Sequence, residues 1–275
     1  MTQGARSRFL SNPSGLAGAC VLAVVGAAAL GAPWLAPHDP LAVDLSQNFQ
    51  GASAAHPLGT DHLGRDTLSR LLFGARVSLL ISIVAVTGAL LAGVAAGLAA
   101  AWYRGAADAV FVRAMDVLLA FPEMLMAIAV IAVLGPGDVS TIVAVAAYAL
   151  PQFARLTRAA ALTAVSRESL LAARAAGAGS VWVLTRHVLP LCASPLVAQA
   201  TIMLGTAILL ASGLSFLGLG VQPPAPEWGA MLSRGRDLIR TAPLGAFAPG
   251  IAITLVVLSF SLAGDGLRDA LDPKK

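Results

Sequence analysis

Two acidic residues lie within apolar sequence and are the first candidates for chemistry in this chain. Asp116 and Glu123 are seven residues apart, so an uninterrupted helix would carry both on one face. Ionisable residues in membrane-spanning helices are costly and commonly mark a solute pathway. Asp116 is also expected near the membrane boundary, and Glu123 follows Phe121-Pro122, where it can satisfy local polar groups. A structural role and a place on a pathway therefore both stay open.

Other catalytic chemistry has little support in the sequence. Ser215 and Ser261 have no histidine partner in a facing apolar segment, and Asp116 has no second aspartate in a matching motif, which argues against an intramembrane hydrolase. Both lysines are at the end of the chain, Lys274 and Lys275, so neither a phosphate-binding P-loop nor an internal Schiff-base lysine can form. If the protein uses ATP, another chain must bind it.

A polar connection, residues 37–70, contains three of the four histidines. The spacing of His38, His56 and His62 gives no helical metal pair, and we predict no metal site. Arg65 and Asp66 are expected to form a local ion pair or a cap. Near the other end of the chain, the proline-rich residues 222–228 are expected to form an ordered external loop in which Trp228 is an interfacial anchor.

The elements that must position these residues are apolar helices. Of the 275 residues 57% are hydrophobic and 12% are charged, whereas a soluble domain has about a quarter of its residues charged. The chain is therefore an integral membrane protein, and its two cysteines are too few for a disulfide framework. Six spans are predicted, at about residues 16–36, 77–103, 115–134, 139–154, 194–218 and 244–263.

The charges predict the orientation of these spans. Six spans place both termini on one side, and that side carries twelve of the 18 Lys and Arg residues. By the positive-inside rule this side is cytoplasmic. A cleaved signal peptide is the alternative for the first span, but its apolar stretch is long and ends without a cleavage motif. No basic patch is interleaved with aromatic residues, so nucleic acid is not an expected partner.

Residues 166–190 form a polar segment between two apolar ones, and they are predicted to be two short cytoplasmic helices. Ser166 can cap the first helix, with Glu168 in its first turn, and Gly177 can supply a left-handed stop. Ser180 can cap the second helix, which is expected to run to Leu189 and to end before Pro190.

The first of these helices has a nearly flat side. Ala172, Ala173, Ala176 and Gly177 recur at helical spacing, so another protein can approach the backbone closely there. This pattern favours docking to a partner. An amphipathic linker that rests on lipid headgroups is the alternative reading of the same residues.

The segment resembles the coupling-loop signature of bacterial ABC importer permeases. That signature begins Glu-Ala-Ala, has Gly four residues after the second Ala, and closes with Leu-Pro thirteen positions after the Gly. Ala172-Ala173, Gly177 and Leu189-Pro190 have this spacing. Leu171 replaces the leading Glu, and Glu168, nearly one helical turn earlier, partly stands in for it.

The resemblance extends over nearly the whole chain. Residues 56–70 (HPLGTDHLGRDTLSR) with 74–78 (GARVS), residues 214–224 (LSFLGLGVQPP) with 227–229 (EWG), and residues 264–273 (GDGLRDALDP) are similar to the dipeptide, oligopeptide and nickel permease family. They resemble the second of the two permeases in such transporters.

The resemblance implies an all-α membrane protein with six transmembrane helices, the type I ABC importer permease fold and a cytoplasmic coupling-helix pair. Residues 1–70 would comprise a cytoplasmic tail, the first helix and the external connection. Residues 71–275 would form a five-helix permease core that includes the coupling loop 155–190. The protein would be a multi-pass component of the bacterial inner membrane.

The implied function is that of a permease subunit in an ATP-driven, binding-protein-dependent importer of di- or oligopeptides; nickel or a metal chelate is the alternative cargo. The chain would not be an enzyme and would bind no cofactor, since ATP and Mg would be held by partner subunits. The expected partners are a second homologous permease, two ATP-binding subunits, an external substrate-binding protein and membrane lipid.

The resemblance also assigns roles to residues. ATPase coupling is expected of Glu168, Leu171, Ala172, Ala173, Arg174, Gly177, Leu189 and Pro190. Asp116 and Glu123 remain candidates for the translocation path, and no residue is assigned a catalytic or metal-binding role.

Overall fold

The computed structural model describes residues 3–165 and 177–271, and their regular structure is helical apart from one isolated antiparallel bridge, between Thr60 and Asp66. The α-helices, numbered along the chain, are α1 Gln3–Leu10, α2 Pro13–Leu30, α3 Ala32–Leu35, α4 Thr67–Tyr103, α5 Gly105–Ala120, α6 Glu123–Leu134, α7 Asp138–Val165, α8 Ser180–Val183, α9 Leu189–Phe216, α10 Trp228–Arg236 and α11 Leu244–Leu271.

Five stretches of the described chain are long and apolar enough to cross a membrane. They are α2, α4, α7, the continuous helix Ser180–Phe216 and α11. The third predicted span differs, because α5 and α6 meet at an angle of 96°. Pro122 has no N–H to donate and disfavours helical geometry at Phe121, which is extended at ψ 133°. The third predicted span, residues 115–134, is therefore broken at Phe121-Pro122, and six spans result only if the bent pair counts as one.

Several helices extend beyond the predicted spans. α4 begins ten residues before Val77, because Asp66 caps its first turn, and α11 reaches Leu271 instead of residue 263. Hydropathy identifies only the part of a helix that matches lipid. Hydrogen bonding continues the helix into the polar sequence on either side.

Small residues bring α4 and α7 into close contact. Ala85, Ala89, Gly93, Gly97 and Ala101 recur at every fourth position of α4, and all five are buried. A methyl group built on Gly93 would lie 2.9 Å from the Leu150 carbonyl oxygen of α7. Close approach of backbones through small residues is a common way in which membrane helices associate. This contact forms the centre of the molecule.

The helix Ser180–Phe216 corrects another expectation. Leu184–Val188 forms a π-helical turn, in which the Leu189 N–H donates to the Leu184 carbonyl, and α9 follows without a break. The sequence predicted that this helix ends before Pro190. In the structure it continues through Pro190 into α9. The wide turn before Pro190 changes the pairing of the carbonyls that the proline ring would otherwise meet, so the helix continues through the proline.

Candidate functional site

The coupling segment, residues 166–190 of the predicted coupling loop 155–190, is only partly described. Residues 166–176 lie outside the described residues, and with them the predicted coupling residues Glu168, Leu171, Ala172, Ala173 and Arg174. The left-handed turn expected at Gly177 is confirmed by its φ of +84°. A Cβ built there would meet no heavy atom of the described residues within 4 Å, so the backbone conformation is what selects glycine.

The other described coupling residues lie within a helix. Leu189 is half-buried and Pro190 is exposed, and both occupy the first turn of α9. Before them, Val181 and Trp182 are 74% and 53% exposed, and the Trp182 ring stacks edge-on against His187 at 4.7 Å. This apolar surface next to Gly177 was not predicted from the sequence. Its signal was two large apolar residues directly after the capping Ser180.

Ion pairs attach α5 to the C-terminal half of α7, just before the coupling segment. Arg158 of α7 binds Asp108 of α5 in a bidentate pair, with Nε–Oδ1 at 2.5 Å and Nη2–Oδ2 at 2.6 Å. The Arg155 Nη1 atom lies 3.3 Å from Asp116 Oδ1, and both side chains are about half exposed. Bidentate pairs fix orientation as well as distance, so the first pair determines how α5 crosses α7.

The two acidic residues of the third predicted span do not share a helical face. The bend separates them, since Asp116 belongs to α5 and Glu123 is the first residue of α6. Asp116 pairs with Arg155, and Glu123 lies near Tyr148 on α7. A role for either residue in the translocation path stays a prediction.

A polar assembly surrounds the first turn of α4. Asp66 caps this helix, and its Oδ2 atom accepts hydrogen bonds from the Ser69 N–H and hydroxyl, both at 2.7 Å. Its Oδ1 atom lies 2.9 Å from Nδ1 of His56. Of the local ion pair or cap expected of Arg65 and Asp66, the structure has the cap at Asp66. Arg65 does not pair with Asp66 but holds Asp61, with its Nε and Nη2 atoms both 2.7 Å from Oδ2.

Two of the three connection histidines come together in this assembly. The rings of His38 and His56 stack with their centroids 4.6 Å apart, and one ligand atom of each lies within 4.8 Å of Asp66 Oδ1. The second ring nitrogen of His56 is 3.0 Å from Gln47 Oε1. Both nitrogens of His56 thus have protein partners, and a structural role accounts for the group. His62 lines a different cavity.

A second buried carboxyl group joins distant parts of the chain on this side. Glu227 is 1% exposed and caps α10, where it accepts hydrogen bonds from the N–H groups of Gly229 and Ala230. It also accepts one from the Ser78 hydroxyl of α4 at 3.2 Å. Burial raises the pKa of Glu227 above its ordinary value, although these donors oppose the shift.

Trp228 is not an interfacial anchor, contrary to the expectation from sequence. It is 2% exposed, and its Nε1–H donates to the Leu71 carbonyl oxygen at 3.0 Å. A buried indole finds a hydrogen-bond acceptor within the protein and does not need the membrane surface. Together Glu227 and Trp228 fix α10 against α4.

Comparison with protein-family models gives two matches. Residues 89–275 match the model described as binding-protein-dependent transport system inner membrane component. Residues 1–54 match the N-terminal TM domain of oligopeptide transport permease C. The two matches lie on either side of the first part of α4.

Known proteins resemble the chain over almost its full length. The di/tripeptide transport system permease protein DppC of Pseudomonas aeruginosa is 46% identical over 97% of this chain and 90% of its own length. The dipeptide permease DppC of Alkalihalophilus pseudofirmus is 45% identical over 90% of this chain and 81% of its own. The glutathione transport permease GsiD of Pectobacterium atrosepticum is 44% identical over 97% and 89%, respectively.

Among solved structures, the fold is similar to inward-facing forms of the MetNI methionine ABC transporter. One of them aligns with a TM-score of 0.60 at 19% identity, covering 74% of this chain and 96% of that chain. A second crystal form gives a TM-score of 0.59 at 20% identity, covering 74% and 97%. At this identity the likeness concerns the fold.

Proposed function

Because this chain belongs to the family of binding-protein-dependent transport system inner membrane components, and is thus a permease subunit, we propose that it carries di- or oligopeptides into the cell. The observation that carries the cargo proposal is the set of full-length relatives named for dipeptides, tripeptides and glutathione, itself a tripeptide. Nickel or a metal chelate is the less supported alternative, since none of these relatives is named for a metal.

We propose that ATP is hydrolysed by two separate subunits that dock at the cytoplasmic end of this chain. The chain has no P-loop sequence and no internal lysine to complete one. The expected orientation, with both termini in the cytoplasm, rests on the twelve Lys and Arg residues assigned to that side against six on the other. A second permease and an external binding protein would complete the complex.

In this proposal the small residues of the coupling segment, Ala172, Ala173 and Gly177, dock against an ATP-binding subunit. Glu168 and Arg174 are the flanking polar contacts, and Leu171 replaces the signature's leading carboxylate. The exposed Val181 and Trp182 extend this surface with apolar contact area. ATP binding then biases the permease through contacts that differ between inward-open and outward-open states.

Replacing Gly177 with valine tests the coupling role. A side chain in the left-handed region costs about 1–2 kcal/mol, so the segment should change its backbone or dock poorly. We expect the variant to insert into the membrane and to hydrolyse ATP with reduced uptake in reconstituted vesicles. Gly179→Val is the matched control, because Gly179 has a φ of −65° and equally open surroundings. Parental uptake by Gly177→Val would refute the docking assignment.

Uptake assays with the cognate binding protein test the cargo and the complex. Vesicles that contain both permeases and both ATP-binding subunits should accumulate labelled dipeptide and should not accumulate nickel. Accumulation of nickel without dipeptide would favour the alternative cargo. Transport by this chain alone would show that the proposed division of labour is wrong.

A further inference from the structure

A small cavity lies on the side of the molecule where residues 36–66 form the connection. It has a volume of about 30 Å³ and lies among the end of the connection, the start of α4, α10 and the start of α11. A water molecule needs about 10–15 Å³ of such volume, so the cavity holds one or two small species. Its polar lining includes Asp61, Arg65, Thr67, Arg70 and Arg234.

Positive charge exceeds negative charge around this cavity. Three guanidinium groups, those of Arg65, Arg70 and Arg234, face one carboxylate, that of Asp61. Asp61 already has partners for its charge, because its Oδ2 atom lies 2.7 Å from two nitrogens of Arg65 and 3.6 Å from Nε of Arg70. Its Oδ1 atom accepts the N–H groups of Leu63 and Arg65.

The remaining positive groups have few partners. Arg70 donates through Nη1 to the Pro40 carbonyl oxygen at 2.9 Å. Arg234 is half-buried and forms no ion pair with any residue in 3–165 or 177–271. Burying a charged group without a counter-charge is unfavourable, so this arrangement favours an anion in the cavity.

Two further observations agree with an uncompensated positive field. The pKa of Arg234 is lowered by burial and then by the charge of Arg65. The pKa of His62, which also lines the cavity, is lowered mainly by burial. The charge of Asp61 acts to raise this pKa, and the charges of the three arginines act to lower it. A positive field disfavours every additional cation, so the cavity is unsuited to a metal ion.

The cavity is also lined by a threonine, Thr67, whose hydroxyl group has no hydrogen-bond partner among the described residues. Thr67 is 3% exposed. Buried hydroxyl groups are normally paired. A hydroxyl can donate to an anion, and Thr67 lines the same cavity as Arg70 and Arg234.

We propose that this cavity binds one small monovalent anion of chloride size, held by Arg70 and Arg234 with the Thr67 hydroxyl. Chloride is the simplest monovalent anion with which to probe a cavity of about 30 Å³. The bound anion would join the connection and α4 to α10 and α11, since these elements supply the walls. The site is independent of the transported cargo.

The thermal unfolding of the assembled transporter tests this site. Its midpoint should rise saturably when sodium chloride replaces sodium gluconate at constant ionic strength, because an anion that binds only the folded state stabilises it. Arg234→Gln should weaken the apparent chloride affinity at least about tenfold, as expected for a lost charge-assisted hydrogen bond. In gluconate this variant should be no less stable than the parent, since it removes an uncompensated charge.

Arg236→Gln is the matched control. Arg236 is on the same helix, its side chain is 62% exposed and it pairs with Asp237, so the chloride response should be unchanged. Thr67→Val, which keeps the side-chain shape, provides a second variant if Arg234→Gln fails to assemble, and it should also weaken the response. Equal midpoints in chloride and gluconate, or a parental response in both cavity variants, would overturn the proposal and leave a cavity that holds only water.

Discussion

Replacing Gly97 with alanine should disturb the central contact between α4 and α7. The new Cβ would lie 2.8 Å from the Thr157 Cβ and 3.0 Å from the Arg158 backbone nitrogen, and closer still to the Ala154 carbonyl oxygen. Optimal carbon–carbon contacts are about 3.5–4.0 Å, so the two helices must separate by roughly 0.7–1 Å. Because two of the three contacted atoms belong to the backbone, a rotamer change cannot relieve the clash.

The expected loss of stability follows from two opposing terms. Overpacking of this kind costs about 1–3 kcal/mol. Removing a glycine from a helix interior recovers about 0.5–1 kcal/mol. We therefore expect the free energy of unfolding to fall by about 1 kcal/mol, within a range of about 0–2.5 kcal/mol.

Gly88→Ala separates these terms, because Gly88 lies on the same helix and a Cβ there meets no atom within 4 Å. This control should be neutral or slightly stabilised. Equilibrium unfolding of the purified chain in mixed micelles measures both variants. If Gly97→Ala is as stable as Gly88→Ala, the close contact between α4 and α7 does not hold the molecule together.

Two further predictions concern charged groups. The side chains of the Asp108–Arg158 pair are 17% and 26% exposed. A double-mutant cycle with Asp108→Asn and Arg158→Gln, measured by unfolding, should give a coupling free energy of about 1 kcal/mol. Additive effects of the two substitutions would show that the pair does not contribute to stability. Since burial raises the pKa of Glu227, folding favours its protonated form, so the parent should lose stability as the pH rises above the ordinary value of 4.5 towards and through the folded-state pKa. Glu227→Gln should lack this loss of stability when unfolding is measured from about pH 5 to about pH 9 in detergent solution. Parallel pH profiles of the two proteins would contradict the assignment.

The sequence predicted the apolar spans because membrane insertion depends on length and hydropathy, which are local properties. It also predicted the turn at Gly177, because only glycine adopts the left-handed region without cost. The small residues of α4 had a readable signal, since Ala89, Gly93 and Gly97 follow a small-xxx-small pattern. That pattern was not used, and it would have identified the face that meets α7.

Other features depend on residues that are distant in sequence. The hydrogen bond between Ser78 and Glu227 joins positions 149 residues apart, and it explains why Glu227 caps a buried helix instead of facing solvent. The choice of Asp61 over Asp66 as the partner of Arg65 arises because Asp66 is occupied by Ser69 and His56. Competition for partners of this kind is decided by the assembled fold, and spacing along the chain does not reveal it.

The wide turn at Leu184–Val188 determines which way the N-terminal end of its helix faces. Val183 and Val188 are both 0% exposed, although they are five residues apart. In an α-helix, five residues correspond to a rotation of about 140° beyond a full turn, so the two side chains would point in different directions. The π turn takes up the extra residue and aligns Val183 with Val188 and with the buried Cys192. The number of residues in this turn thus determines the direction in which Trp182 projects. Deleting one of them would rotate the exposed surface of Val181 and Trp182 by about 100° about the helix axis and leave α9 in place.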